Sequence, residues 1–242
     1  MKYSFFRNYL AFCLLLTAFA FTSCNKETLR GKGDIISKTR TVGTYEAISV
    51  GGEFEIYLTQ GPAQDIKLEG QENVLAEVIT TTRNNELKIE FNKDNVKIDE
   101  PVRVYLSTPN LKEINLSGAN RVIGATDWQV NDFKVSTSGS STVNLTLKGA
   151  ADVQTRISGS GEITYYGDAS THDLEISGSG KLKAFGFTTK ISDIGISGSG
   201  RAEVMAIEKL SAQVSGSGKV YYKGNPAENS SVSGSGSISK VD

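Results

Sequence analysis

Seven near-copies of one tetrapeptide recur at almost constant spacing down the second half of this chain. They begin at Ser117 (SGAN), at Ser138 (SGSS), and as SGSG at Ser158, Ser177, Ser197, Ser215 and Ser233. Their starts lie 21, 20, 19, 20, 18 and 18 residues apart. A period near 20 residues marks a repeat architecture, in which each unit buries its apolar face only against its neighbours.

Each copy sits between short alternating segments, such as Leu174-Glu-Ile176 before it and Lys181-Leu-Lys-Ala184 after it. Alternation with a period of two marks a strand with one buried face. Counting in twos from Ile176 meets Gly178, Gly180, Leu182 and Ala184. From Val214 the same count meets Gly216, Gly218, Val220 and Tyr222. An extended chain therefore points both glycines inward and the serines outward. Paired inward glycines imply a close opposing wall, or backbone torsions that a Cβ resists. The outward serines of successive turns would stack about 4.8 Å apart.

A unit of this length is too short for a βαβ repeat, which needs about 30 residues. The Leu-x-x-Leu-x-Leu pattern of leucine-rich repeats is absent, as is the Gly-Gly-x-Gly-x-Asp of calcium-binding β-rolls. No six-residue sub-period is present either. The expected fold is all-β: a right-handed parallel β-helix, or β-solenoid, of about 20 residues per turn with irregular N-terminal turns. Seven copies would rise about 29 Å.

Residues 1–24 read as a lipoprotein signal peptide. Lys2 and Arg7 precede the apolar run Leu10–Phe21, and Phe21-Thr-Ser-Cys24 has the small residues before a cysteine that a lipobox requires. Cys24 is then the lipidation site and the first mature residue. Cys13 leaves with the signal, so the mature chain relies on no disulfide. Losing Lys2 and Arg7 leaves 24 basic against 27 acidic side chains, which gives no nucleic-acid footprint. Residues 25–39 read as a flexible tether and 40–242 as the β-helix domain. The strand-rich stretch up to residue 116 lacks the tetrapeptide; it reads as the first turns and cap, with a separate small β-domain as the alternative.

Few residues suggest chemistry. His172 is the sole histidine and reads as a turn residue in Ser-Thr-His-Asp. No serine lies in a Gly-x-Ser-x-Gly elbow with a following acid and base. Gly195–Ala202 looks like a phosphate loop, but Arg201 replaces the lysine and no helix follows. The turn acids Asp152, Asp168, Asp173 and Asp193 share no common offset from the tetrapeptide. The reading is therefore no catalytic residue, no metal site and no cofactor. Tyr165-Tyr166 and Tyr221-Tyr222 hold similar places after SGSG, and Tyr166 and Tyr222 are taken as outward rings of a binding surface for a sugar or protein.

Several segments together resemble a known bacterial family, the putative auto-transporter adhesins with a head GIN domain. They are Tyr45–Val50, Ile56–Gly61, Leu87-Lys-Ile89, Pro109–Gly118 and the SGSG series to Gly236. The resemblance spans roughly residues 40–240. It implies a right-handed β-helix in an exported, often lipid-anchored protein, and supplies no catalytic residues. The expectation is a non-enzymatic outer-membrane lipoprotein of the cell envelope, periplasmic or surface-exposed. It would be held to the membrane through Cys24 and present its coil to a glycan or protein, with room for an oligomer. A carbohydrate-active β-helix enzyme, lyase or hydrolase, and a purely structural scaffold are the alternatives.

Overall fold

A computed structural model describes residues 28–242, so Cys24 and the signal segment lie outside the described residues. The N-terminal part comprises β1 (Leu29–Arg30), β2 (Ile35–Arg40), β3 (Ala47–Gly52), β4 (Phe54–Gln60), β5 (Ile66–Gln71), the one-turn helix α1 (Glu72–Leu75), β6 (Val78–Arg83), β7 (Glu86–Phe91), β8 (Val96–Lys97) and β9 (Val102–Thr108). The array follows: β10 (Glu113–Gly118), β11 (Arg121–Gly124), β12 (Trp128–Gln129), β13 (Asp132–Gly139), β14 (Thr142–Gly159), β15 (Glu162–Gly178), β16 (Lys181–Gly198) and β17 (Arg201–Gly216). It closes with β18 (Lys219–Lys223), β19 (Ala227–Gly234) and β20 (Ser237–Lys240).

From β10 onward the strands pair in parallel, and the tetrapeptides fall into one column. Ser117 pairs with Ser138, and that with Ser158, Ser177, Ser197, Ser215 and Ser233 in turn. This is the expected β-solenoid, one turn per tetrapeptide.

The tetrapeptide itself is a corner rather than an extended wall, which corrects the inward reading of its first glycine. Ser177, Gly178 and Ser179 are all exposed, whereas Gly180 is buried. Gly178 has φ of +113°, a region that side chains rarely adopt, and a Cβ there would lie 2.8 Å from the carbonyl oxygen of Gly159. That geometry lets the backbone ladder continue round the bend: Ser179 N–H donates to Gly159 O at 2.8 Å and Ser199 N–H to Gly178 O at 2.8 Å. The second glycine does face inward. A Cβ on Gly180 would lie 2.4 Å from Cγ2 of Ile157, so the missing side chain makes room for the isoleucine of the preceding turn.

In the two irregular copies this inward slot holds Asn120 and Ser141, both buried. Asn120 Nδ2 donates to Ser117 O at 2.9 Å, and Ser141 Oγ accepts from Asn120 N–H at 3.1 Å. An earlier corner, unmarked by the motif, lies at Gly51-Gly52, whose residues pair with Ser117 and Gly118.

Inside the corner Ile157, Ile176, Ile196 and Val214 stack on one another, each no more than 2% exposed. Burying an aliphatic side chain of this size contributes about 1.5–3 kcal/mol. The core also holds a polar insertion. His172 is not a turn residue; it points inward, buried, with Nε2 3.1 Å from Thr155 Oγ1, and packs edge-on against Tyr165 and Phe187.

The N-terminal turns do not stack in chain order. β3 lies between β7 and β10, and β4 between β9 and β11, all parallel. The first turn laid down is thus sandwiched between the second and the third. Antiparallel strands then close the ladder: β6 pairs with β7, β5 with β9, and β2 with β5. Arg40 fastens this cap by donating to the carbonyls of Val78 at 2.6 Å and Leu75 at 2.9 Å. The expected tether at 25–39 is corrected accordingly, because Leu29–Arg30 pairs with β8 and Ile35–Arg40 with β5.

In β19 two inward positions carry Glu228 and Ser230 where the preceding turn has Leu210 and Ala212, and a third keeps Val232, 44% exposed, opposite Val214.

Candidate functional site

On either side of the tetrapeptide corner, register turns the outward positions into columns, so the coil presents two flanks that meet there. The flank before the corner is paved with small polar side chains. Beside the exposed serine column run Asn115, Ser136, Arg156, Glu175, Gly195 and Gln213, also in register. The Arg156 Nε–Glu175 Oε2 ion pair at 3.0 Å stands up from this surface. On one side of it lies a shallow concavity of about 310 Å³ lined by Asn115, Ser117, Ser136 and Ser138. On the other lies a wider one of about 520 Å³ over Ser177, Gly195, Ser197 and Ser215, where Gly195 supplies no side chain.

The acids singled out in the sequence separate here. Asp173 and Asp193 are neighbours on adjacent turns of this flank. Burial, and then Glu175, raise the Asp173 carboxyl above its ordinary value. Asp152 instead accepts from Gln154 Nε2 at 3.0 Å and from the Thr171 hydroxyl, and Asp168 accepts from Gly149 N–H at 3.1 Å. Among the described residues no group of three or more His, Cys, Asp or Glu side chains is placed to hold a metal ion. His172 is walled into the core, and its burial lowers its pKa to about 4, so it is neutral near pH 7.

The flank after the corner carries rings and charges. Tyr166 is 49% exposed, as expected, and its ring lies over Gly186 of the next turn, where a Cβ would come within 2.6 Å of it. Tyr222 is corrected: it faces inward, 8% exposed, and its hydroxyl donates to Glu228 Oε2 at 2.6 Å. The two residues therefore share no stripe. The reason is a one-residue offset between the tyrosine pairs. The inward ring is the fourth residue after the second glycine in both, Tyr165 after Gly161 and Tyr222 after Gly218, which leaves Tyr166 and Tyr221 outward.

The reading of the sequence missed the residues directly after the corner. Lys181, Arg201 and Lys219 each follow an SGSG immediately, and they pair in register on consecutive turns. The Arg201 guanidinium lies 4.4 Å from the centroid of the Tyr221 ring, and Lys223 Nζ lies 5.3 Å from that of Phe185. The signal was present in the repeat, as a basic residue at the same offset in three successive units.

The sequence profile of the family described as "Putative auto-transporter adhesin, head GIN domain" matches residues 44–226. No curated protein matches the chain. Among solved structures, a "putative adhesin" from Bacteroides fragilis NCTC 9343 shares the fold with a TM-score of 0.80 at 21% identity, over 88% of this chain and 100% of that one. A "putative lipid binding protein" from Parabacteroides distasonis ATCC 8503 does so with a TM-score of 0.74 at 25% identity, over 89% and 100%. A "putative adhesin" from Parabacteroides merdae ATCC 43184 gives 0.68 at 23%, over 89% and 100%. Among the described residues no helix is long and apolar enough to cross a membrane.

Proposed function

The chain belongs to this head GIN domain family, and on that premise we propose that it is a non-enzymatic lipoprotein of the cell envelope whose coil presents a flank for binding a glycan or a protein. One observation carries the reading: unbroken register around the corner stacks the outward serines, and the residues beside them, in ordered columns about 4.8 Å apart. Such a surface suits an extended, repetitive ligand better than a small substrate, which needs an enclosed pocket. The concavities on the serine flank are shallow and open by comparison.

The anchor is Cys24, behind the apolar run Leu10–Phe21. It would hold the coil at the outer membrane, on its periplasmic or its outer surface. Two measurements test the proposal. Cys24→Ala protein should move from the membrane to the soluble fraction; retention in the membrane rejects the lipid anchor. Protein spanning residues 25–242 should be captured on an array of glycans and envelope proteins without altering them; turnover of any polysaccharide would instead identify an enzyme.

A further inference from the structure

At several places on the surface, charges on neighbouring turns are opposite in sign. Glu55 meets Arg103 at 3.3 Å, Glu113 meets Lys134 at 2.9 Å and Glu162 meets Lys183 at 2.6 Å. The column Lys181–Arg201–Lys219 breaks that pattern with three exposed cations on consecutive turns. Like charges directly opposite one another in a ladder are destabilising. Glu203 pairs with Arg201 and Glu162 lies opposite Lys181, which leaves three cations against two acids and a net positive patch that a polyanion would complement.

The surroundings add to the field. Lys183 and Lys223 lie on the same strands as Lys181 and Lys219, Lys183 opposite Glu203 and paired with Glu162, and Lys223 opposite Met205. Glu203 Oε1 holds one edge of Arg201, Nε at 2.9 Å and Nη2 at 2.7 Å, and the Tyr221 ring supports the guanidinium from its face. A guanidinium fixed in this way is pre-organised for a planar anion such as a carboxylate or sulfate. Cations repeating at the step of a strand ladder, with a ring beside them, match a chain of sugars that carries acid groups at regular intervals.

We infer that this flank, centred on the Lys181–Arg201–Lys219 column, is a binding site for an anionic polysaccharide, carboxylated or sulfated. The inference rests on the binding reading above and names its ligand class. The ligand lies along the coil axis, one acid group to each cation, with Tyr221 against a sugar face. Because the column is exposed, attraction falls as salt rises.

The test measures binding of protein spanning residues 25–242 to sodium alginate, dextran sulfate and unmodified dextran, with phosphatidylglycerol vesicles and duplex DNA alongside. The expected result is binding to alginate or dextran sulfate and none to unmodified dextran. That binding should weaken at least tenfold in the Lys181→Gln/Arg201→Gln/Lys219→Gln protein and about threefold or more in Tyr221→Ala. The triple variant should melt close to the parent, because it removes a like-charge column together with an exposed ion pair that is worth little. Unchanged polyanion binding in the triple variant overturns the site. Vesicle or DNA binding as tight as that to the polysaccharides overturns the ligand class. Capture by unmodified dextran or an envelope protein alone removes this inference but leaves the binding reading standing; no capture by any probe or array removes both.

Discussion

Nε2 of His172 lies 3.1 Å from the hydroxyl of Thr155 one turn away, inside the coil, and that same hydroxyl lies 3.3 Å from the Tyr165 hydroxyl. Three polar side chains satisfy one another where the neighbouring columns are aliphatic. A buried imidazole in this setting is held neutral, because desolvation penalises its charged form.

The first expectation is a pH dependence of stability. The pKa of His172 in the folded chain is lowered to about 4 from 6.5, so the unfolded chain takes up the proton first. Stability is therefore complete above pH 6.5 and is lost as pH falls from 6.5 towards 4, by up to about 3 kcal/mol. Urea unfolding at pH 7 and pH 4.5 measures the loss, and His172→Leu should flatten it. An equal loss in that variant would assign the effect to other groups.

The two glycines of one corner should fail in different ways. Gly178→Ala places a Cβ at positive φ against the backbone oxygen of Gly159. Gly180→Ala places one against a methyl of Ile157. Each should cost about 1–3 kcal/mol. Adding Ile157→Ala removes the side-chain clash only. In a double-mutant cycle it should couple favourably with Gly180→Ala and not with Gly178→Ala. Equal coupling in both cycles would contradict the assignment.

The tyrosines separate on stability. Tyr222→Phe gives up the hydrogen bond to Glu228 that ties β18 to the last turn, and should cost about 1 kcal/mol. Tyr166→Ala removes an exposed ring and should stay within about 0.5 kcal/mol of the parent. Thermal melts of both proteins decide it, and the reverse order would restore the outward reading of Tyr222.

Much of this could be read from the chain alone, because a solenoid is written locally. The spacing from Ser158 to Ser177 to Ser197 fixes the length of a turn, and the alternation Leu174, Ile176, Gly180, Leu182 fixes which side chains are buried. Even the inward place of Tyr222 follows from counting in twos from Val214; the two tyrosine pairs look equivalent but differ by a shift of one residue. The column of cations was also present in the sequence and was passed over because each member, taken singly, is an ordinary surface residue.

What the sequence determined, then, was the turn and its repetition, since corner torsions and strand alternation depend on residues a few places apart. Only the tertiary structure decided how the N-terminal end is assembled. Ala47 pairs with Glu113 and also with Glu86, and the antiparallel strand Ile66–Gln71 lies between Ile35–Arg40 and β9. No local pattern encodes those partners. Any alternating strand can pair with any other, and the choice is made by which arrangement buries Ile48, Ile56, Leu68 and Leu75 together while β6 and β5 cover the outer edges of β7 and β9.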